Sequence, residues 1–183
     1  GWNDFGKQVH LDAGATSARI SQSVFAGEDA GTVGIACEWD TLDVAIEGPG
    51  TIRNSAQAIE LMKSAGVEVV RRSLLRVHVT RGSLEGKYGS LVVATGDPAT
   101  PEQMEANADA FWGHIQGGGN GAQWAQAVAA GPMTGAYLTM TLSDSLDQLM
   151  AASQKAFADP ANQQMMASLN FQLTGRNFFK VLG

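Results

Sequence analysis

The chain repeats itself at a fixed interval. Residue n and residue n + 104 align without a gap from Val9–Val77 onto Gly113–Val181. The identical pairs include His10/His114, Gly14/Gly118, Gln22/Gln126, Gly27/Gly131, Gly31/Gly135, Asp40/Asp144, Leu42/Leu146, Asp43/Asp147, Met62/Met166, Arg72/Arg176 and Val77/Val181. Fixed-period self-similarity constrains fold more than any composition, because each copy has to be able to form the same unit. The phrase that shows it best is ARISQSVFAGEDAG (Ala18–Gly31) with its near-copy AQWAQAVAAGPMTG (Ala122–Gly135). We read a tandem duplication, with repeats over 1–82 and 83–183.

The second copy reads element by element. Leu91, Val92 and Val93, bracketed by glycines, mark a strand within Gly86–Gly96. Pro101–Gln116 reads as a helix, with proline at its first position, Glu102 and Glu105 at its positive end and glycines to stop it. Met104, Ala108, Phe111, Trp112 and Ile115 give that helix one apolar stripe. The repeated phrase is expected to be a β-hairpin, since glycines at both ends of a short turn supply positive φ. Asp40 and Asp144 are expected to cap the next helices, which should break at EGPGT and ADPAN. Closing strands are expected over VEVVRRSLLRVHV and FQLTGRNFFKVL. The order β-α-β-β-α-β is ferredoxin-like. The first copy lacks an opening strand, and Trp2, Phe5, Val9 and Leu11 supply its helix's stripe.

Composition excludes some classes of function. A net charge of −6 with scattered acidic residues argues against nucleic acid, which needs clustered Lys and Arg. No apolar run reaches the roughly 18 residues of a membrane span, so no membrane partner is expected. The single cysteine, Cys37, cannot form an internal disulfide or a cysteine zinc site, and its strand pattern favours a buried thiol over a nucleophile. The opening GWNDFGKQ has no signal-peptide character. A cytoplasmic protein is expected, with no cofactor and no metal.

The helix ending in glycine, the G-x-x-x-G hairpin turn, the D-[ST]-L-D helix start and the break at Asp159-Pro160 together resemble the dimeric α+β barrel superfamily. Its members include antibiotic-biosynthesis-monooxygenase-like, EthD-like, stress-responsive barrel and NIPSNAP-like domains. The resemblance implies two facing four-stranded sheets with helices outside and a cavity between, closed within one chain or between chains. It specifies no chemistry, because the superfamily spans oxygenases, haem-degrading enzymes and isomerases.

Candidate site residues follow from strand alternation. One face of each closing strand (Val67, Val69, Leu75, Val77; Phe171, Leu173, Phe179, Val181) is apolar, whereas the other carries Arg72, Arg76 and His78, or Arg176, Phe178 and Lys180. Arg72 and Arg176 either grip an anionic or polarised ligand or pair with local carboxylates. Gln22 and Gln126, beside Ile20 and Trp124, either line a pocket or bond across the sheet. Tyr137, Thr139 and Thr141 share one face, with Tyr137 a donor, an acid or a packed ring. His10 and His114 sit at helix ends, as bases or as charge complements to the helix. The leading expectation is a small-molecule-binding barrel on an organic ligand, with cofactor-independent oxygenase chemistry. The competing one is a non-catalytic assembly protein, and a homo-oligomer is expected in both cases.

Overall fold

The computed structural model describes residues 5–183, so Trp2 lies outside the described residues. Two compact units are present: one from residues 5–22, Gly31–Arg71 and Val181–Gly183, the other from Ser23–Ala30 and Arg72–Lys180. Secondary structure is mixed α and β.

In the first unit a short helix α1 (Lys7–Asp12) leads into β1 (Ser17–Phe25), which pairs antiparallel with β2 (Val33–Glu38) from Ser17↔Glu38 to Gln22↔Val33. The chain's end joins β1, through Leu182 N–H to the Ile20 carbonyl and Ile20 N–H to that of Gly183. Helices α2 (Leu42–Arg53) and α3 (Ala56–Ser64) follow.

The second unit holds β3 (Leu74–Gly82), β4 (Tyr88–Thr95), α4 (Pro101–Ile115), β5 (Gly121–Ala129), β6 (Tyr137–Ser143), α5 (Leu146–Ala158), α6 (Pro160–Ser168) and most of β7 (Gln172–Val181). From Tyr88 onward the order is β-α-β-β-α-α-β. The antiparallel strands lie side by side as β7-β4-β6-β5-β3. Val79, Met104, Ala108, Ala122, Trp124 and Tyr137 form the main core cluster, with Phe111, Trp112 and Phe171 packed against it. The apolar stripe of α4 therefore does bury: Ala108 is fully enclosed, and Met104 and Ile115 are nearly so.

Both copies of the repeated phrase form a hairpin with a one-turn 3₁₀ helix at its tip, Gly27–Asp29 and Gly131–Met133. Their glycines have matching left-handed backbones: φ is +56° at Gly27 and +58° at Gly131, then +86° at Gly31 and +90° at Gly135. A side chain at these four places would be strained, which explains why glycine recurs there.

Four details differ from the sequence reading. The helix caps are Thr41 and Ser145, one residue beyond Asp40 and Asp144; their hydroxyls accept the backbone N–H three residues on. A hydroxyl oxygen one bond from Cβ reaches that N–H as well as a carboxylate does, leaving Asp144 to accept from Asn120 Nδ2 at 3.1 Å. Helix α2 runs straight through EGPGT with Pro49 inside it and ends at Asn54. The break falls at Ser55, which caps α3 and matches Asp159, the cap of α6. Residues 67–73 form no strand, so the first closing strand starts only at Leu74. Finally, α1 spans only six residues and buries none of them.

Two of the three register irregularities leave an extra residue in β3 or β7 and change which side chains point inward. In β3, Val77 pairs with Ala125 and Val79 with Trp124, leaving His78 as an extra residue. In β7, Leu173 pairs with Ala94 and Gly175 with Val93, leaving Thr174 extra. Each bulge reverses the alternation beyond it. Val77 is thus exposed while Val79, two residues on, is buried.

Candidate functional site

A cavity of about 90 Å³ lies within the second unit, between its sheet and helices α4, α5 and α6. Its floor alternates along the strands: Ser90, Val92 and Ala94 from β4, Tyr137, Thr139 and Thr141 from β6, Trp124 from β5 and Arg176 from β7. Its roof is apolar, with Met104, Phe111 and Ile115 from α4, Leu149 and Phe157 from α5, and Met165 and Met166 from α6. Asn107 and Ser153 are polar exceptions on that roof.

Arg176 reaches this space because of the Thr174 bulge. Strict alternation would put it opposite Phe171 and Leu173, yet all three line the same cavity. Its Nε donates to Ser90 Oγ at 2.9 Å, and its guanidinium stacks over the Phe178 ring, 5.0 Å from the centroid. Burial holds the Arg176 pKa below its ordinary value, though a guanidinium stays charged at neutral pH. None of the cavity-lining residues is acidic. The lining therefore offers the Arg176 guanidinium no carboxylate partner.

Asn107 is 8% exposed, and its Nδ2 is buried with no hydrogen-bond partner. A buried amide donor left unpaired costs about 1–3 kcal/mol unless a ligand or water accepts from it. Ser90 and Thr141 are also buried.

The remaining candidates fall elsewhere. Tyr137 lines the cavity with its ring, T-stacked on Phe171 with centroids 4.9 Å apart. Its hydroxyl is committed: it accepts from Ala99 N–H at 2.9 Å and donates to the Asp97 carbonyl at 3.1 Å. Gln126 is not among the lining residues; its amide nitrogen, Nε2, donates to the Gly135 carbonyl at 3.3 Å. Gln22 makes the same bond to Gly31 at 3.5 Å. The repeated glutamine thus braces its hairpin against the last turn glycine. Arg72 is exposed, outside any strand and outside the cavity. His78, the bulge residue, has a buried Nε2 without a partner, and burial and the neighbouring Arg76 lower its pKa. It too lies outside the cavity lining.

His114 Nε2 lies 3.4 Å from Asp159 Oδ2, at the cap of α6, and His10 Nδ1 lies 2.6 Å from the Gly6 carbonyl. Burial pushes the Cys37 thiol up to about 11, so it is protonated at neutral pH. Among the described residues no group of three His, Cys, Asp or Glu could hold a metal ion, and no helix is long and apolar enough to cross a membrane.

Asn107 and Ser90 were not singled out in the sequence, though each carried a signal. Asn107 interrupts the Met104, Ala108, Phe111 stripe at helical spacing, and Ser90 shares the parity of Val92.

No protein-family model matches the chain, and no curated protein matches its sequence. Solved structures do. A protein described as anthrone oxidase-like superposes with a TM-score of 0.55 at 13% identity, over 93% of this chain and 78% of its own. A candidate monooxygenase from Fusobacterium nucleatum superposes with a TM-score of 0.51 at 10% identity, over 100% of this chain and 87% of its own. The likeness is one of fold. At such identities it carries no residue of either protein's chemistry onto this one.

Proposed function

We propose that this chain is a small-molecule-binding α+β protein of the dimeric α+β barrel type, built from two tandem ferredoxin-like repeats, that oxygenates an organic substrate without a bound cofactor. One observation supports it above the rest: an apolar cavity whose lining includes a guanidinium with no carboxylate beside it and a buried amide whose nitrogen has no protein partner. Ligand sites have that make-up, mostly apolar with a few fixed polar groups. Oxygenase chemistry is drawn from the fold likeness. In such a reaction Arg176 would stabilise negative charge developing on a substrate oxygen, where low polarity strengthens the interaction.

The test is oxygen uptake on adding a one-ring hydroquinone to the purified protein, with no flavin, haem or metal supplied. Uptake that Thr139→Phe abolishes, in a variant with unchanged circular dichroism, is the expected result. No uptake over the buffer rate removes the oxygenase reading and leaves binding to be judged separately.

A second reading, assembly without catalysis, draws on the first unit, where Ile46 (63%) and Val70 (79%) are among many exposed apolar side chains. Exposed apolar patches mark interaction surfaces. Light scattering coupled to gel filtration tests it: a monomer at micromolar concentration removes this reading.

A further inference from the structure

We infer that the cavity of the second unit selects a small apolar carboxylate, whose two oxygens take the Arg176 fork while Asn107 supplies a further donor. This rests on the small-molecule reading of the same cavity and adds the class of ligand.

The argument starts from donors left over. Of the five N–H groups on Arg176, Nε serves Ser90, and this bond fixes the plane of the guanidinium. The Nη groups then form a forked pair whose spacing matches both oxygens of a carboxylate, a charge-assisted bidentate arrangement that a single phenolic oxygen cannot complete. Phe178 backs the guanidinium, 5.0 Å away, and holds it against swinging out. The cavity lining contributes no acidic side chain that would compete with a ligand's carboxylate for this fork.

Asn107 is an independent sign. It is more than nine-tenths buried, it lines the same cavity, and its Nδ2 has no protein acceptor. The Tyr137 hydroxyl is saturated by backbone at Ala99 and Asp97. The Thr139, Thr141 and Ser153 hydroxyls also line the cavity and can donate or accept. The charge in the lining is the Arg176 cation alone, which calls for an anionic ligand head, with the amide and the hydroxyls as further donors.

Size and lining restrict the rest of the ligand. A water needs roughly 10–15 Å³ of such space, so about 90 Å³ suits a body of monocyclic or short-chain dimensions. Met165 and Met166 line it, and their flexible, polarisable side chains accommodate a ring that rigid walls would refuse.

The experiment titrates the whole protein, carrying ¹³C-methyl methionine, with benzoate and with its neutral isostere benzamide. Calorimetry gives affinities, and the Met165 and Met166 methyl shifts report whether the cavity is occupied. Benzoate is expected to bind at least tenfold more tightly than benzamide. Arg176→Gln, which keeps an amide donor near Ser90, should erase that preference by weakening benzoate far more than benzamide. Asn107→Leu should weaken both ligands several-fold. Benzamide binding as tightly as benzoate, or a preference that survives Arg176→Gln, overturns the inference but leaves the cavity reading intact. Indole, a neutral apolar probe, separates the two failures. If indole shifts the methyls and benzoate does not, only the carboxylate inference is lost. If none of the three ligands shifts them, the small-molecule reading is lost as well.

Discussion

The two units spend similar sequence on very different interiors. The second encloses Met104, Trp124, Tyr137, Leu138, Leu142 and Leu149, whereas among the described residues the buried apolar ones of the first are Ala15, Ala18 and Ala58. The hairpins themselves match closely, with paired turn glycines and the same glutamine brace. Yet Val33 is 55% exposed where its counterpart Tyr137 is 7% exposed. Equivalent backbone is therefore compatible with opposite burial. A second difference explains much of this. In the second unit β6 is hydrogen-bonded along both edges, to β5 and to β4. In the first, among the described residues, β2 pairs with β1 alone. A strand paired on both sides sits in the middle of a sheet that helices can cover.

This contrast is open to direct attack. The largest effect should come from core truncation: Leu149→Ala, at a site 1% exposed, is expected to cost about 2–5 kcal/mol by chemical denaturation. Ile46→Ala, at 63% exposure in the first unit, should stay within about 0.5 kcal/mol. Equal losses at both sites would mean that the exposed side of the first unit is covered in solution. Next come the caps. Ser145→Ala is expected to lower stability by about 1 kcal/mol through the lost bond to Gln148 N–H. Thr41→Ala should cost less, because the helix it starts buries little. The glutamine brace should give smaller and nearly equal losses: Gln22→Leu and Gln126→Leu, each about 0.5–1 kcal/mol. A large asymmetry between them would show that one amide does something besides bracing.

The smallest effect is a difference in acid response. Backbone N–H bonds from Asn162, then Ala161, and the nearby His114 hold the Asp159 carboxyl below the ordinary aspartate range. Its contribution is present above the unfolded pKa and lost as pH falls through the depressed folded value. Ser55, the matching cap of α3, does not titrate. Amide exchange should therefore quicken in the first turn of α6 below pH 4 and stay level in α3. Parallel acceleration in both helices would refute the assignment.

The sequence made the repeat unit legible because its signals are local. Turn glycines, a proline-started helix and the α4 stripe each act within a few residues, and all three recur in the structure. The caps were misplaced by one residue because Asp and Ser or Thr stand side by side, and both can do the job. The site was harder to read. Trp124, Tyr137 and Arg176 do line one cavity, but Arg72 and the glutamines do not. Arg176 was paired with Arg72 by repeat position, whereas its direction depends on a bulge. A bulge exists only relative to the partner strand, so no pattern within residues 171–181 could reveal it. Asn107 was passed over because a lone amide in an apolar stripe looks like an imperfection until its unpaired nitrogen is seen.

The extra residue in β7 has a consequence for how such a cavity can change through descent. Removing Thr174 would restore plain alternation without turning Arg176, because Gly175 already pairs with Val93 and Arg176 with Val92. Strands that differ by one residue in length would then present the same guanidinium to the chamber. A one-codon deletion is a single genetic event, so longer and shorter forms of this strand stand one step apart with the charge of the chamber unchanged.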